Sequence, residues 1–481
     1  MGNSHSSTAI SGAAWRFAER IFAQLITFCV SIVLARLLSP DEYGLIAIVT
    51  VFITLANICV ADGLSASIVQ KKQIDSLDYS TVLYGGFVLS LIIYAVLFFC
   101  APLIAKFYNA PILSPVFRVL SLRIPLASIN SVEGAYLSRN LQFKKFFWAT
   151  LGGTAFSGVV GITMAFSGFG IWALVGQNLT NYFIDTIILA LVIKKVPPLR
   201  FSFTRMKELF SFGGKILVTN LIFQLVSQLR TLIIGKKYST SDLSFYTKGQ
   251  YFPNLIGSNI SAPLSSVLFP ILAKMQSNVN DIKTFLRKSV HLISYTVSPL
   301  LIGLAAVSRP LITILLTEKW LPCVNFIWYG AIYHSFTSMH STNLEAVKAI
   351  GAGNQIFKYG NIKRIISIVT LLATFWINVD AIAIGLIASA ILCTAVNMYQ
   401  NKKLFYYSYT EQLIDFLPNM FCTWVMGITV FLLGKALPFS NIITLILQVI
   451  TGVIIYLALS VITKNKSLNT VIHLIKDKLK K

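Results

Sequence analysis

Three charged residues lie close together in "AAWRFAERIFAQLITFCVSIVLA", residues 13 to 35, a stretch otherwise typical of a membrane-spanning helix. Arg16 and Arg20 are one helical turn apart, Glu19 lies beside them, and Gln24 follows one turn later. Two guanidinium groups and one carboxylate leave a net positive face, and guanidinium has planar donors that suit phosphate oxygens. The spacing predicts a site for an anionic headgroup such as a diphosphate. The alternative is that the arginines extend to the cytoplasmic surface, with Glu19 only balancing their charge.

Further cations lie in later apolar stretches. Arg123 and Pro125 are expected to interrupt the fourth apolar stretch, residues 113–136, and Arg123 is expected to line a cavity rather than face lipid. Arg230 and Lys248 are expected in the periplasmic halves of the seventh and eighth apolar stretches, residues 213–235 and 243–270. Cations at both ends of a path would hand over an anion, and the alternative for both residues is that they extend to the nearer surface.

A single carboxylate, Asp185, lies in the apolar sequence "NLTNYFIDTIIL". A lone buried carboxylate can bind a proton or Na⁺ as a coupling ion, and the alternative is that it only hydrogen-bonds its neighbours. The sequence assigns no role to His334, His340 or Glu345. No cluster of side chains has metal-ligand spacing, so neither a metal nor a cofactor is predicted.

The composition indicates an all-α integral membrane protein. Of 481 residues, 56% are hydrophobic and 12% are charged, and the mean hydropathy is +0.73. Apolar runs long enough to cross a bilayer predict about 14 transmembrane helices. Lys and Arg concentrate in alternate connections, with Lys358, Lys363 and Arg364 among those on the cytoplasmic side, which predicts cytoplasmic termini. The net charge of +23 is therefore explained by topology and not by binding of nucleic acid.

Polar residues near position 20 recur about 200 residues later, which indicates an internal repeat. The matched pairs are Arg20 with Asn220, Gln24 with Gln224, Thr27 with Ser227, Ser31 with Thr231, and Ser39 with Ser239. In each copy a polar turn follows, and Ser39 with Glu42 has the spacing of a capping box. The repeat predicts two pseudo-symmetric lobes of six helices around a central cavity, plus two C-terminal helices.

The predicted domain boundaries follow this repeat. They are an N-lobe over 1–193, a cytoplasmic linker over 194–212, a C-lobe over 213–400, and the last two helices with a basic cytoplasmic tail over 401–481.

Several longer stretches resemble Wzx-type polysaccharide and O-antigen flippases, colanic acid exporter-like members of the multidrug/oligosaccharidyl-lipid/polysaccharide exporter superfamily. These stretches are residues 15 to 72, "DYSTVLYGGF", "APLIAKFY", "LQFKK", "GFGIWALVGQ", "FSFTRMKELFSFGGKIL" and "LFPILAKMQ". The resemblance implies 14 helices in two lobes and outward movement, by alternating access, of an undecaprenyl-diphosphate-linked oligosaccharide for surface polysaccharide synthesis. It also implies that Arg16 and Arg20 engage the diphosphate, and it places Lys248 where relatives often carry a basic residue.

The expected location is the bacterial inner membrane. The expected partners are the lipid-linked oligosaccharide, membrane lipids, H⁺ or Na⁺ for coupling, and the polysaccharide polymerase machinery. One alternative is a drug/cation antiporter of the same superfamily, which would favour a carboxylate-rich cavity. Another is a membrane glycan polymerase, which would present a substantial periplasmic loop with catalytic residues, whereas the outside connections here are short. No phosphate loop of the GxxxxGK[ST] type is present, so ATP is not expected to be the direct driver. The repeat and the short outside connections favour a transporter over an enzyme.

Overall fold

The computed structural model describes residues 2–62, 68, 71, 74–193, 198–276, 278–465 and 467–468, and the regular elements in this part of the chain are helices. A π-helical turn, Ile58–Asp62, continues the second helix, and a 3₁₀ turn, Glu318–Trp320, precedes the twelfth. The α-helices are α1 (Gly2–Leu37), α2 (Pro40–Asn57), α3 (Ser76–Phe107), α4 (Leu113–Leu120), α5 (Arg123–Arg139), α6 (Phe143–Phe166), α7 (Ile171–Ile193), α8 (Phe203–Lys237), α9 (Thr240–Lys274), α10 (Val279–Ala306), α11 (Ser308–Leu316), α12 (Cys323–Ala349), α13 (Gly353–Thr374), α14 (Val379–Phe405), α15 (Tyr409–Ala436) and α16 (Asn441–Ile462).

Polar side chains cap the starts of several of these apolar helices. The predicted capping box is confirmed at α2, where Ser39 accepts from the backbone amide of Glu42 and the Glu42 side chain accepts from the backbone amide of Ser39. Asp75 with Asp78 and Ser408 with Glu411 form the same reciprocal pair at α3 and α15. Because the first backbone amides of a helix have no partner within the helix, these caps define where each helix begins.

Nine of the described helices are long and apolar enough to cross a membrane. The prediction of an all-helical membrane protein is therefore confirmed, whereas the count of 14 spans stays a prediction. The expected interruption of the fourth span is also confirmed, because α4 ends at Leu120 and α5 begins at Arg123. Pro125 is in the first turn of α5, where its missing amide hydrogen costs no helical hydrogen bond.

The order of the helices recurs along the chain, as the polar pattern predicted. Helices α1, α6 and α7 have counterparts of similar length in α8, α13 and α14, and the 18-residue α2 has a longer, 35-residue counterpart in α9. Each counterpart begins about 200 to 210 residues later. The break between α4 and α5 has its counterpart in the 3₁₀ turn before α12. The repeat is thus visible in the element order as well as in the sequence.

The chain forms two compact units, Met1–Ser244 and Phe245–Lys481, which are called here the first and the second unit. In the first unit, α6 packs against α1 and α7, while α8 packs against α2 and α3. In the second unit, α10 packs against α12 and α15, and α13 packs against α14. The units divide the chain within α9, whereas the sequence-based lobes followed the repeat, so the predicted lobe boundaries stay a prediction.

Candidate functional site

A buried arginine joins α5 to α7 in the first unit. Arg123 is 9% exposed, its Nη1 donates to Asn178 Oδ1 at 3.1 Å, and its Nη2 donates to the Tyr182 hydroxyl at 3.2 Å. The guanidinium also lies 4.7 Å from the centroid of the Tyr182 ring. Among the described residues the Arg123 Nε has no hydrogen-bond partner. Arg123 is therefore directed into the protein interior and retains one unused donor within the described residues, while its expected place in a cavity wall stays a prediction.

The same two helices share further polar contacts. Asn130 donates from Nδ2 to the backbone oxygen of Tyr182 at 3.1 Å, and Thr186 donates to Asn130 Oδ1 at 2.7 Å. Glu133 is buried, and its Oε2 has no hydrogen-bond partner in the part of the chain that the structure describes. A buried polar network with free acceptors and donors inside an apolar protein is expensive unless it binds something, so it marks a candidate functional site.

Asp185 lies on a neighbouring face of α7 and packs directly on α6. A Cβ atom on Gly153 would lie 1.8 Å from Asp185 Oδ1, so only a glycine permits this approach. Asp185 Oδ1 is buried and has no hydrogen-bond partner within the described residues. The Glu19 side chain of α1 is close enough to act electrostatically on Asp185. The structure therefore associates the predicted coupling-ion residue with one residue of the predicted cationic face.

The predicted cationic face of α1 is divided in the structure. Arg16 donates from Nη2 to Ser138 Oγ at 2.6 Å, pairs with Glu19 at 3.6 Å, and lies 4.3 Å from the centroid of the Phe146 ring. Arg20, one turn further, is exposed. Arg16 is thus held against α5 and α6, and Arg20 is the guanidinium of this pair that remains accessible.

The remaining predicted cations lie at other places. Gln24 is half-buried on α1. Arg230 is 4% exposed in the first unit. Lys248 is half-buried in the second unit, where its Nζ lies 5.8 Å from the centroid of the Tyr251 ring and 5.7 Å from that of Trp320. The roles of these residues in binding substrate stay predictions.

The residues without a predicted role have local explanations where the structure describes them. Glu345 pairs with Lys348 at 2.8 Å, one turn along α12. His334 packs against Gly257, whose added Cβ would lie 2.9 Å from His334 Nδ1. The side chain of His340 lies outside the described part. Across the described residues, no group of three or more His, Cys, Asp and Glu side chains is arranged to hold a metal ion.

The sequence interpretation missed most of the polar network. Asn178, Tyr182 and Thr186 recur at spacings of four along α7, which puts them on one helical face, and this periodicity was the available signal.

The sequence interpretation also counted Lys363 among the basic residues of a cytoplasmic connection. In the structure Lys363 lies within α13 and is half-buried.

Comparisons with known proteins agree with this fold. The family described as "Polysaccharide biosynthesis protein" matches residues 33–325, more than half of the chain, so the chain belongs to this family. The succinoglycan biosynthesis transport protein ExoT of Rhizobium meliloti (strain 1021) is 22% identical over 361 residues, covering 75% of this chain and 73% of the relative. The lipopolysaccharide biosynthesis protein WzxC of Escherichia coli (strain K12) is 24% identical over 318 residues, covering 65% and 64%.

Two solved structures share the fold. The lipid II flippase MurJ in an inward closed conformation matches with a TM-score of 0.74 at 16% identity and covers 94% of this chain and 98% of its own. An inward-facing multidrug resistance MATE family transporter of the MOP superfamily matches with a TM-score of 0.63 at 13% identity, covering 80% and 94%. The predicted resemblance to proteins of polysaccharide biosynthesis is confirmed by this family and these relatives. The chain is a member of the polysaccharide biosynthesis family, and nine of its described helices are long and apolar enough to cross a membrane.

Proposed function

We propose that this protein moves an undecaprenyl-diphosphate-linked oligosaccharide from the cytoplasmic to the outer leaflet of the bacterial inner membrane by alternating access, for surface polysaccharide synthesis. Membership of the polysaccharide biosynthesis family supports the substrate class, and the flippase-like fold supports the transport step. In this proposal both termini are cytoplasmic, and the translocated unit passes to the polymerase machinery outside.

The observation that carries the proposal is the divided cationic face of α1. Arg16 and Arg20 lie in the first two turns of the candidate membrane span Trp15–Leu37, at the depth where a charged side chain can meet a lipid headgroup. Glu19 and Ser138 already engage Arg16, which leaves the exposed Arg20 guanidinium to meet an anion. A diphosphate offers the oxygens that a guanidinium binds in pairs. Arg20 is therefore proposed as the first contact of the lipid diphosphate, with Arg16 held behind it.

Asp185 is proposed to bind the coupling ion, H⁺ or Na⁺. Its Oδ1 is buried and available, and Gly153 gives it a close-packed backbone wall. A bound cation would neutralise the carboxylate and make its burial less costly. In this proposal the ion bound at Asp185 drives the return step, and transport depends on an ion gradient only while Asp185 carries its carboxylate.

The experiment follows the outward movement of a fluorescent lipid-diphosphate oligosaccharide in proteoliposomes. Arg20→Gln is expected to slow movement at least about tenfold, which corresponds to about 1.4 kcal/mol of lost interaction. Arg36→Gln, which removes another exposed arginine of α1, serves as the matched control and should stay within about twofold. Equal rates for the two variants would remove Arg20 from the binding site, and no movement by the unaltered protein would refute the flippase.

A second candidate is export of organic cations. The buried carboxylates Glu133 and Asp185 favour it, because a cationic drug would meet acidic partners there. The same proteoliposomes loaded with a fluorescent cation test this candidate. Cation export that requires Asp185, without movement of the glycolipid, would establish the antiporter in place of the flippase.

A further inference from the structure

A lysine of α13 makes a polar contact with α14 in the second unit. Lys363 is the tenth residue after the start of α13 and is half-buried. Its Nζ donates to Asn397 Oδ1 of α14 at 3.0 Å. Within the described residues no carboxylate forms an ion pair with it. The ammonium is therefore held by one neutral amide.

The repeat identifies the matching place in the first unit. Gly153 is likewise the tenth residue after the start of α6, and Asp185 and Cys393 are each the fourteenth after the starts of α7 and α14. Gly153 touches Asp185. The Cys393 thiol donates to the backbone oxygen of Lys363, with 3.9 Å between Sγ and the oxygen. The same crossing of two helices thus holds an acid in the first unit and a base in the second.

The single contact of Lys363 leaves its charge incompletely satisfied. A lysine ammonium has three donors, and among the described residues one of them has an acceptor. The side chain is half-buried, so part of the ammonium is shielded from solvent while part of it stays accessible. The two remaining donors are available to the oxygens of a negatively charged ligand.

We propose that Lys363 and Asn397 form an anion site of the second unit that binds the phosphate groups of the substrate. This proposal rests on the proposed function, in which the substrate is a lipid diphosphate. Two Nζ donors would bind phosphate oxygens while the third keeps its contact with Asn397. Arg364, whose Nη1 donates to Asn361 Oδ1 at 2.6 Å, adds a second positive charge next along the helix.

Lysine suits a site that must also release its ligand. Its ammonium is a compact charge on a flexible stem, and it binds phosphate as a point charge without the paired geometry of arginine. The two matching helix crossings would then bind opposite charges. The acid at Asp185 would bind the coupling cation, and the base at Lys363 would bind phosphate groups of the substrate in addition to the contact proposed for Arg20.

The test measures thermal stabilisation of the purified full-length protein in detergent by farnesyl diphosphate, with farnesol as the uncharged comparison. The unaltered protein should be stabilised by the diphosphate and not by the alcohol. Lys363→Gln should weaken diphosphate binding about tenfold, and Lys363→Arg, which keeps the charge, should bind within a few-fold of the unaltered protein. Lys358→Gln removes an exposed lysine of the same helix and should bind normally.

A second variant keeps the test valid if Lys363→Gln is poorly folded. Asn397→Asp places a carboxylate beside the intact lysine, so it should weaken diphosphate binding while strengthening the contact between α13 and α14. Equal diphosphate affinity in Lys363→Gln, Asn397→Asp and the unaltered protein would overturn the proposal. So would stabilisation by farnesol equal to that by the diphosphate.

The transport assay separates this proposal from the flippase itself. If the unaltered protein moves the glycolipid and Lys363→Gln binds the diphosphate normally, the flippase stands and the anion site is refuted. If binding depends on Lys363 and the unaltered protein moves no glycolipid, the anion site stands and the flippase is refuted.

Discussion

The two units place opposite charges at matching positions of one repeated framework. Where α6 crosses α7, Gly153 admits the carboxylate of Asp185, and where α13 crosses α14, Lys363 reaches Asn397. The helices begin at corresponding places and have similar lengths. The positions and lengths of these helices are therefore determined by their apolar residues and caps. The charge where the two helices cross can then differ between the first and the second unit.

A second reversal of charge occurs between two matching pairs of helices, α8 with α3 in the first unit and α15 with α10 in the second unit. In the first unit, Arg205 is the third residue after Ser202, which caps α8. Its guanidinium lies 3.7 Å from Asp75 and 3.6 Å from Asp78 at the start of α3. Here α8 carries the base and the start of α3 carries the acids.

In the second unit the signs are exchanged. Glu411 is the third residue after Ser408, which caps α15, and it pairs with Lys283 at 2.9 Å and Arg287 at 3.3 Å on α10. Because the signs are opposite, an exchange of partners would place bases beside bases for α8 with α10 and acids beside acids for α15 with α3. Complementary charge combined with repulsion from the wrong partner distinguishes otherwise similar helices during assembly.

The largest expected effect comes from filling the space beside Asp185. Gly153→Leu would bring a Cβ within 1.8 Å of Asp185 Oδ1 and 3.1 Å of the Asn181 backbone oxygen, so α6 and α7 must separate. The free energy of unfolding should fall by about 3 kcal/mol. At the matching position, Lys363→Leu should cost about 1 kcal/mol, because it loses one hydrogen bond and creates no overlap. Thermal unfolding in detergent measures both, and equal losses would show that the two crossings are alike.

The next effect comes from reversing the charge at the start of α15. Glu411→Lys would lose the capping box with Ser408 and place a third base beside Lys283 and Arg287. We expect a loss of about 2 kcal/mol, half from the cap and half from these partly exposed pairs. Glu411→Gln keeps a capping side chain and should lose about 1 kcal/mol. If Glu411→Lys is no worse than Glu411→Gln, neither the capping box nor repulsion from Lys283 and Arg287 contributes to this contact.

The mirror change in the first unit should be smaller. Arg205→Glu leaves Asp78 paired with Lys71 at 2.6 Å, and the Arg205 and Asp75 side chains are substantially exposed, so the expected loss is about 1 kcal/mol. Adding Asp75→Asn removes a carboxylate that repels the glutamate introduced at position 205 and keeps a good cap, so it should recover part of the lost free energy of unfolding. Additive losses in the double variant, measured by thermal unfolding, would contradict direct repulsion between these side chains.

The smallest effect distinguishes the caps of α3 and α10 by pH. The backbone amide of Asp78 donates to the carboxylate of Asp75 and lowers its pKa below the ordinary value of 3.8. A carboxyl whose pKa is lowered by folding stabilises the protein above its unfolded pKa, and this contribution is lost as pH falls through the folded pKa. The matching cap, Asn278, accepts from the Asn280 amide and does not titrate.

Asp75→Asn should therefore flatten the dependence of the melting temperature on pH below about pH 4. Asn278→Asp should steepen it over the same range. Melting curves of both variants and of the unaltered protein between about pH 6 and pH 3 measure the difference. Identical slopes in all three proteins would show that the Asp75 cap contributes nothing to acid sensitivity.

Much of the framework could be predicted from the sequence because its causes are local. The apolar runs predicted a helical membrane protein, Ser39 with Glu42 predicted a cap, and Arg123 with Pro125 predicted the break before α5. Each of these depends on residues within a turn or two of one another. The recurrence of polar residues likewise predicted the repeated helix order.

The sites could be predicted only in part. Arg16 was expected to form one cationic face with Arg20, and its hydrogen bond to Ser138 was not foreseen because Ser138 is 122 residues away in sequence. Lys363 was counted among the cytoplasmic basic residues, which stays a prediction, and its contact with Asn397 was not foreseen because the two residues are 34 apart in sequence. Asp185 was recognised as an isolated acid, while the glycine that admits it is visible only once α6 and α7 are in contact.

The sequence by itself therefore determined the class of protein, the repeat and the limits of many helices, since hydropathy and capping act over neighbouring residues. Only the tertiary structure decided which charges meet. Arg123 reaches Asn178 across 55 residues, and Arg205 meets Asp75 and Asp78 because α8 packs on α3. Such pairings depend on the neighbours and rotation of each helix, which follow from packing of the whole chain and are not contained in any single segment.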